Sequence, residues 1–154
     1  MTIAEMKEEV AKHLKRFQAE KAEVAEAEEE AANIAFSQGS GEPVQSSAIS
    51  DKTARGAAVL ERVAETRAWV ECIEKSMAWL KEERPDIYLL LCGHYGLNYR
   101  KGYRRKYAKA FTVSYCSAYH ISDSEYKTRR IEGLDELRQD ATEAGLLKRR
   151  SSQT

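Results

Sequence analysis

Residues 112–137 read TVSYCSAYHISDSEYKTRRIEGLDEL, and the expected fold follows from how this stretch divides. Ser122-Asp123-Ser124-Glu125 has the pattern of a capping box: the Ser122 hydroxyl can accept from the amide of residue 125 while the Glu125 carboxylate reaches back to the amide of 122. A helix is therefore expected to start at Ser122. Upstream, Cys116 supplies a small residue, His120 a residue able to turn the chain four positions on, and Tyr126 an apolar contact six further on, with Ile121 apolar just after the turn. That spacing predicts a helix-turn-helix whose second helix lies in a DNA major groove, its N-terminal half toward the base edges. Two amphipathic helices with a short turn also occur in helical proteins that touch no DNA, so a second property has to separate the two readings.

Charge favours the DNA reading. From Tyr99 to Arg130 the bases are Arg100, Lys101, Arg104, Arg105, Lys106, Lys109, Lys127, Arg129 and Arg130, against the acids Asp123 and Glu125, a net charge of +7 in a chain whose total is zero. Positive charge gathered around one motif is what phosphate binding requires. Within the helix begun at Ser122, a rotation of about 100° per residue puts Tyr126, Leu134 and Leu137 on the core side and Ser124, Glu125 and Thr128 away from it. Arg129 falls on the flank and Lys127 near the edge of the core arc, both with stems long enough to swing out. The expected base contacts are Arg129 and Lys127, whose donors suit guanine O6 and N7. Ser122, Ser124, Thr128 and Arg130 complete the expected DNA-binding set at this end. Arg100, Lys101, Arg104, Arg105, Lys106 and Lys109 are expected to meet phosphates.

The rest of the chain is expected to be all-α. Two prolines, eight glycines and long runs of Ala, Glu, Lys, Leu and Arg in 154 residues suit one modest domain, or a small domain with a helical arm. No apolar run approaches the roughly 20 residues of a membrane helix, and MTIAEMKEEV lacks the apolar core of a signal peptide. Three scattered cysteines suit reduced thiols. The expected location is the cytoplasm.

Steps of three and four residues pick out Ile3, Met6, Val10, His13, Phe17, Glu20, Val24, Ala27, Ala31 and Ile34, with Leu14 beside them, and predict one helix over 3–35. The charge at Glu20 breaks the seam unless its carboxylate bends out to water. Five bases against nine acids make this segment net −4, so it is not expected to touch DNA. A linker is expected at 37–50, SQGSGEPVQSSAIS. A second helix over 51–83, capped by Ser50 or Asp51 and stopped by Pro85, has its seam at Val59, Val63, Thr66, Val70, Ile73, Met77 and Leu80, with Trp69 and Trp79 flanking. The two stripes are expected to pack as a helical hairpin or as a coiled coil with a second copy. Thus 1–84 is read as a helical arm, 85–147 as the helix-turn-helix domain and 148–154 as a tail, with fraying from Leu146 onward.

Within the second part, Pro85–Cys92 opens a helix that supplies core. Tyr95, Tyr99, Tyr103 and Tyr107 recur every four residues, as on one helix face, whereas Gly96 and Gly102 argue for a loop through part of this stretch. Bases interleaved with aromatics suit phosphate contact or stacking on nucleobases, and packing is the commoner role for such tyrosines. Cys92, His94, Cys116 and His120 form C-x-H and C-x3-H pairs 21 residues apart, a set of zinc-type ligands. The spacing is unlike a zinc finger, and Cys116 and His120 already serve the motif, so neither metal nor cofactor is expected. No phosphate loop, nucleophile elbow or H-E-x-x-H is present, and an enzyme is not expected.

Residues Ile121–Leu137 resemble the I-S-x-x-T-V-K-x-R-x-x-x-A-L-x-x-L pattern of region 4 of bacterial sigma factors. In layout the chain is similar to phage late-transcription regulators of the RinA and ArpU type. The match falls on Ile121, Ser122, Lys127, Arg129, Leu134 and Leu137; Glu125, Tyr126, Arg130 and Gly133 depart from the sigma pattern, and 93–110 is longer than the usual link. The resemblance implies a non-enzymatic activator of phage or prophage late genes. The expected partners are duplex DNA, host RNA polymerase and, from the two seams, a second copy of the chain on paired half-sites. An antiterminator or small terminase subunit is the first alternative. A helical adaptor that binds no nucleic acid is the second.

Overall fold

The computed structural model describes residues 1–36 and 46–147, with side chains of α3 described from Asp51 on. All regular elements among the described residues are helices: α1 (Ile3–Lys15), α2 (Phe17–Phe36), α3 (Ser46–Arg62), α4 (Ala64–Glu83), α5 (Pro85–Tyr95), α6 (Arg105–Tyr119) and α7 (Asp123–Glu143). None is long and apolar enough to cross a membrane.

Local chemistry sets several ends. Thr2 caps α1 with a full capping box, its hydroxyl accepting from the Glu5 amide at 3.1 Å while the Glu5 carboxylate accepts from the Thr2 amide at 3.0 Å. Pro85 occupies the first turn of α5, where its missing N–H costs nothing. Each long helix expected from the seams is interrupted once. Arg16 (φ −100°, ψ 5°) separates α1 from α2. At Val63 the amide reaches back three residues to the Leu60 carbonyl (3.3 Å), a 3₁₀-type step between α3 and α4. The helix expected from Ser50 or Asp51 instead starts at Ser46, inside the expected linker; the linker residues 37–45 and the tail 148–154 lie outside the described residues.

The chain divides into two compact units, Glu20–Ala68 and a second made of Met1–Ala19 together with the described residues from Trp69 on. This differs from the expected division at residue 84. Helix α1 belongs with the C-terminal helices because its stripe is buried there: Met6, Val10 and Leu14 are at most 1% exposed, α1 packs on α7, and Lys7 pairs with Asp135 at 3.9 Å. Leu14, set beside the expected seam, is one of its most buried members, whereas Ile3 is exposed. Three fully buried aliphatic side chains stabilise this docking by about 1.5–3 kcal/mol each. His13 stacks on Trp69 with ring centroids 3.8 Å apart. Ser76 of α4, itself buried, donates to the Asp140 carboxylate of α7 at 2.7 Å.

Helix α7 also packs on α5 and α6, and α5 on α6. Two glycines permit this closeness. A Cβ at Gly133 would lie 2.8 Å from Ile87 Cγ2 and from Leu91 Cδ1, and one at Gly93 would lie 2.0 Å from the Phe111 ring. The alanine of the sigma-like pattern therefore has no room at 133. Beyond α7 the chain folds back, with the Leu146 amide on the Ala141 carbonyl at 2.9 Å and Leu147 buried, so the expected fraying does not begin at 146.

In the unit Glu20–Ala68, Val24, Ala27, Val59 and Val63 are buried, and Arg62 and Arg67 pair with Glu30 and Glu28 at 3.4 and 3.8 Å. Glu20 is 4% exposed, so its carboxylate does not bend out to water as the seam required.

Candidate nucleic-acid interface

The turn between α6 and α7 is fixed from both sides. His120 adopts the left-handed conformation (φ 54°, ψ 47°), the only non-glycine among the described residues to do so, and closes α6. Its amide and that of Ile121 (3.1 Å) both donate to the Cys116 carbonyl. Ser122 then caps α7, its hydroxyl accepting from the Glu125 amide at 3.1 Å. The reciprocal half of the expected capping box is not formed. The Glu125 carboxylate instead faces Arg129, 3.7 Å away and one turn on, because the guanidinium offers it a charge where the Ser122 amide offers only a dipole. Cys116 is the small residue of the turn, its thiol 3.8 Å from the Ser122 carbonyl and from the Asp123 carboxylate.

The faces of α7 follow the expected arcs. Tyr126, Leu134, Leu137 and Ala141 are buried, while Ser122, Ser124, Glu125, Lys127 and Thr128 are exposed. The Tyr126 ring meets Tyr115 edge-on at 5.4 Å, and its hydroxyl is hydrogen-bonded to His94 Nδ1 at 2.9 Å. Burial pushes the Tyr126 phenol up to about 12. Burial, with help from the nearby charges of Arg130 and Lys15, lowers His94 to about 4. Among the described residues no three His, Cys, Asp or Glu side chains gather in a way that could hold a metal ion.

The two arginines differ from the lysine beside them. Arg129 donates to the Tyr115 hydroxyl at 3.2 Å, lies 3.8 Å from the Asp86 carboxylate, and sits over the Tyr119 ring at 5.4 Å. Tyr115 in turn donates to the Asp86 carbonyl at 2.7 Å. Burial pushes the Asp86 carboxyl up, but hydrogen bonds from Arg84 and the Ile87 amide, with the charge of Arg129, outweigh it and hold it below its usual value. Arg130 donates to the Tyr95 hydroxyl at 3.2 Å. Thr128 bonds back to the Ser124 carbonyl at 3.1 Å. Lys127 and Ser124 are exposed in the first two turns of α7, as are Asp123, Glu125 and Thr128. Neither Tyr115 nor Asp86 is marked by the sequence as a partner of Arg129; only the assembled fold brings α5, α6 and α7 together there.

The basic segment is a loop followed by the start of α6, so the tyrosines at 95, 99, 103 and 107 do not share a helix face. Gly96 ends α5 with φ 63°, and a Cβ there would lie 2.5 Å from the Gly102 carbonyl oxygen, a close approach that only glycine allows. The loop folds back at this point, with Leu97 buried and its carbonyl accepting from the Gln18 side chain. Tyr95 is buried and Tyr103 lies against the rings of His94 and Tyr95, with Lys15 over its face at 5.1 Å. Tyr99 and Tyr107 are more than half exposed. Arg100 and Lys101 on the loop, and Arg104, Arg105, Lys106 and Lys109 at the head of α6, are all exposed. No protein-family model, no curated protein and no solved structure matches this chain.

The fifteen residues of α6 span roughly 22 Å at 1.5 Å per residue. Two polar ends thus stand on one rigid rod: a cation-rich head at Arg104–Lys109 and, past its foot, the exposed first turns of α7.

Proposed function

We propose that this chain binds duplex DNA with the start of α7 in the major groove and acts as a sequence-specific, non-enzymatic transcriptional regulator. The observation that carries this reading is the division of α7: Tyr126, Leu134 and Leu137 anchor it, while Ser124, Lys127 and Thr128 face outward immediately after a rigid turn. Lys127 and Ser124 are the base-reading pair, Lys127 as a donor toward guanine O6 or N7. Arg129 orients the helix through Tyr115 and Asp86. Arg100, Lys101, Arg104, Arg105, Lys106 and Lys109 supply phosphate contacts and carry the salt dependence. The resemblance of Ile121–Leu137 to sigma region 4 and to phage late-gene regulators supports activation of phage or prophage late genes as the setting, with host RNA polymerase as a partner and paired half-sites as the target of a dimer.

The test is a gel-shift titration of the purified chain on the DNA upstream of its own gene and on random duplex, repeated over a range of salt. Binding that prefers the upstream DNA is expected. Lys127→Ala should lose that preference, and Arg105→Ala should weaken both DNAs alike while flattening the salt slope by about one unit. Equal, weak binding to both duplexes by the unaltered protein would overturn the sequence-specific reading.

A further inference from the structure

Beside the face assigned to duplex lies a groove of about 620 Å³, between the loop at 99–102 and helix α6. Its walls are Tyr99, Arg100 and Lys101 on one side and Tyr107, Phe111 and Ser114 on the other, and no acidic residue lines it. The volume falls within the ordinary range for small-molecule sites. Its chemistry is uneven in an informative way. Tyr99 and Tyr107 are 57% and 59% exposed, so both rings are accessible to a ligand. The cations stand beside them on the loop, whose position is set by the contact of Gly96 with Gly102. The floor is equally determined, because Gly93 has no side chain and the Phe111 ring fills the space where one would be.

Flat aromatic walls suit a planar ring, and adjacent cations without a neighbouring carboxylate suit an anion. We propose that this groove binds a nucleotide, its base against Tyr99 and Tyr107 and its phosphate on Arg100 and Lys101. The nucleotide is either a free nucleoside phosphate or one unit of a single strand, since both present the same ring and the same charge. The base-reading side chains of α7 take no part in this groove, whereas Arg100 and Lys101 are shared with the phosphate contacts proposed for duplex, so a nucleotide and a duplex would compete for these two cations.

Calorimetric titration of the full chain with ADP, adenosine, pyrophosphate and a ten-residue oligothymidylate tests it. ADP or the oligonucleotide should bind more tightly than adenosine or pyrophosphate, because only they engage both the tyrosine rings and the cations. Tyr107→Ala and Lys101→Ala should each weaken that binding about tenfold or more; both side chains are exposed, so unchanged melting of the variants would show that the fold is intact. Binding of ADP identifies a free nucleotide as the ligand, and binding of the oligonucleotide without ADP identifies a strand. Absence of both at millimolar concentration, binding no tighter than that of pyrophosphate, or binding indifferent to Tyr107→Ala would overturn the proposal. Duplex titration of Lys127→Ala in parallel keeps a failure here distinct from a failure of the α7 reading.

Discussion

Tyr115 holds Arg129 in place: the guanidinium donates to the phenol oxygen at 3.2 Å, and the phenol donates onward to the Asp86 carbonyl at 2.7 Å. An arginine on the flank of a groove-facing helix is ordinarily a candidate for bidentate contact with guanine. Here its donors are shared among Tyr115, Asp86 and Glu125, and its side chain is only 20% exposed. These contacts tie α7 to α5 and α6.

Arg129→Ala is therefore expected to lower the stability of the fold by about 1 kcal/mol, the net worth of a charge-assisted hydrogen bond discounted for partial exposure. It should weaken binding to preferred and random duplex by similar factors. Urea unfolding together with paired DNA titrations measures both effects. An unchanged unfolding midpoint with a loss confined to the preferred site would return Arg129 to the base-reading set.

The contrast between Arg129 and the cap at Ser122 shows what the sequence could and could not reveal. The Ser122 cap, the αL turn at His120 and the inward arc of Tyr126, Leu134 and Leu137 each depend on residues within a turn or two, so spacing alone exposes them. The role of Arg129 depends on Asp86, more than forty residues earlier and on another helix. The same limit explains the domain division. A stripe through Met6 and Val10 was legible, with Leu14 beside it, but nothing in its periodicity says that its partner is α7 rather than another long helix. The reciprocal half of the capping box failed for a related reason: Arg129, held from the far side, gives Glu125 a competing partner.

Gly133 is a second case in which tertiary packing overrides a local rule. Gly→Ala in a helix interior ordinarily gains about 1 kcal/mol, and the sigma-like pattern has alanine here. A methyl at 133 would stand 2.8 Å from both Ile87 Cγ2 and Leu91 Cδ1. Overpacking of this kind costs about 1–3 kcal/mol, so Gly133→Ala is expected to be destabilising on balance. Thermal unfolding decides: a raised melting temperature would mean that α5 and α7 separate easily.

Val70 tests the burial of the α4 seam. Its side chain is 5% exposed between Trp69 and Ile73, both also buried, with no need for a second copy of the chain to cover it. Val70→Asp should cost several kcal/mol, since a carboxylate without a partner would be taken out of water or would have to bind a proton. Loss of the cooperative melt is the expected result. A variant that melts normally at unchanged mass in solution would place this residue on an exposed surface.

His94 gives the fold a pH dependence whose direction can be worked out. The ring is hydrogen-bonded to the Tyr126 hydroxyl, faces Tyr95 and Tyr103, and is lowered to about 4 by burial, then by Arg130 and Lys15. In the unfolded chain the same histidine titrates near 6.5. Above that value both states hold a neutral ring, and the stability due to this group is complete. Between about 6.5 and 4 the unfolded chain binds a proton that the folded chain refuses, so stability falls with falling pH and levels off below 4. The loss is expected to reach roughly 2 kcal/mol once partial solvent access is allowed for. His94→Gln retains hydrogen-bonding capacity toward Tyr126 without the titration. Its melting temperature should be nearly flat from pH 7 to 4.5 while that of the unaltered chain declines, and parallel declines in the two proteins would assign the effect to other groups.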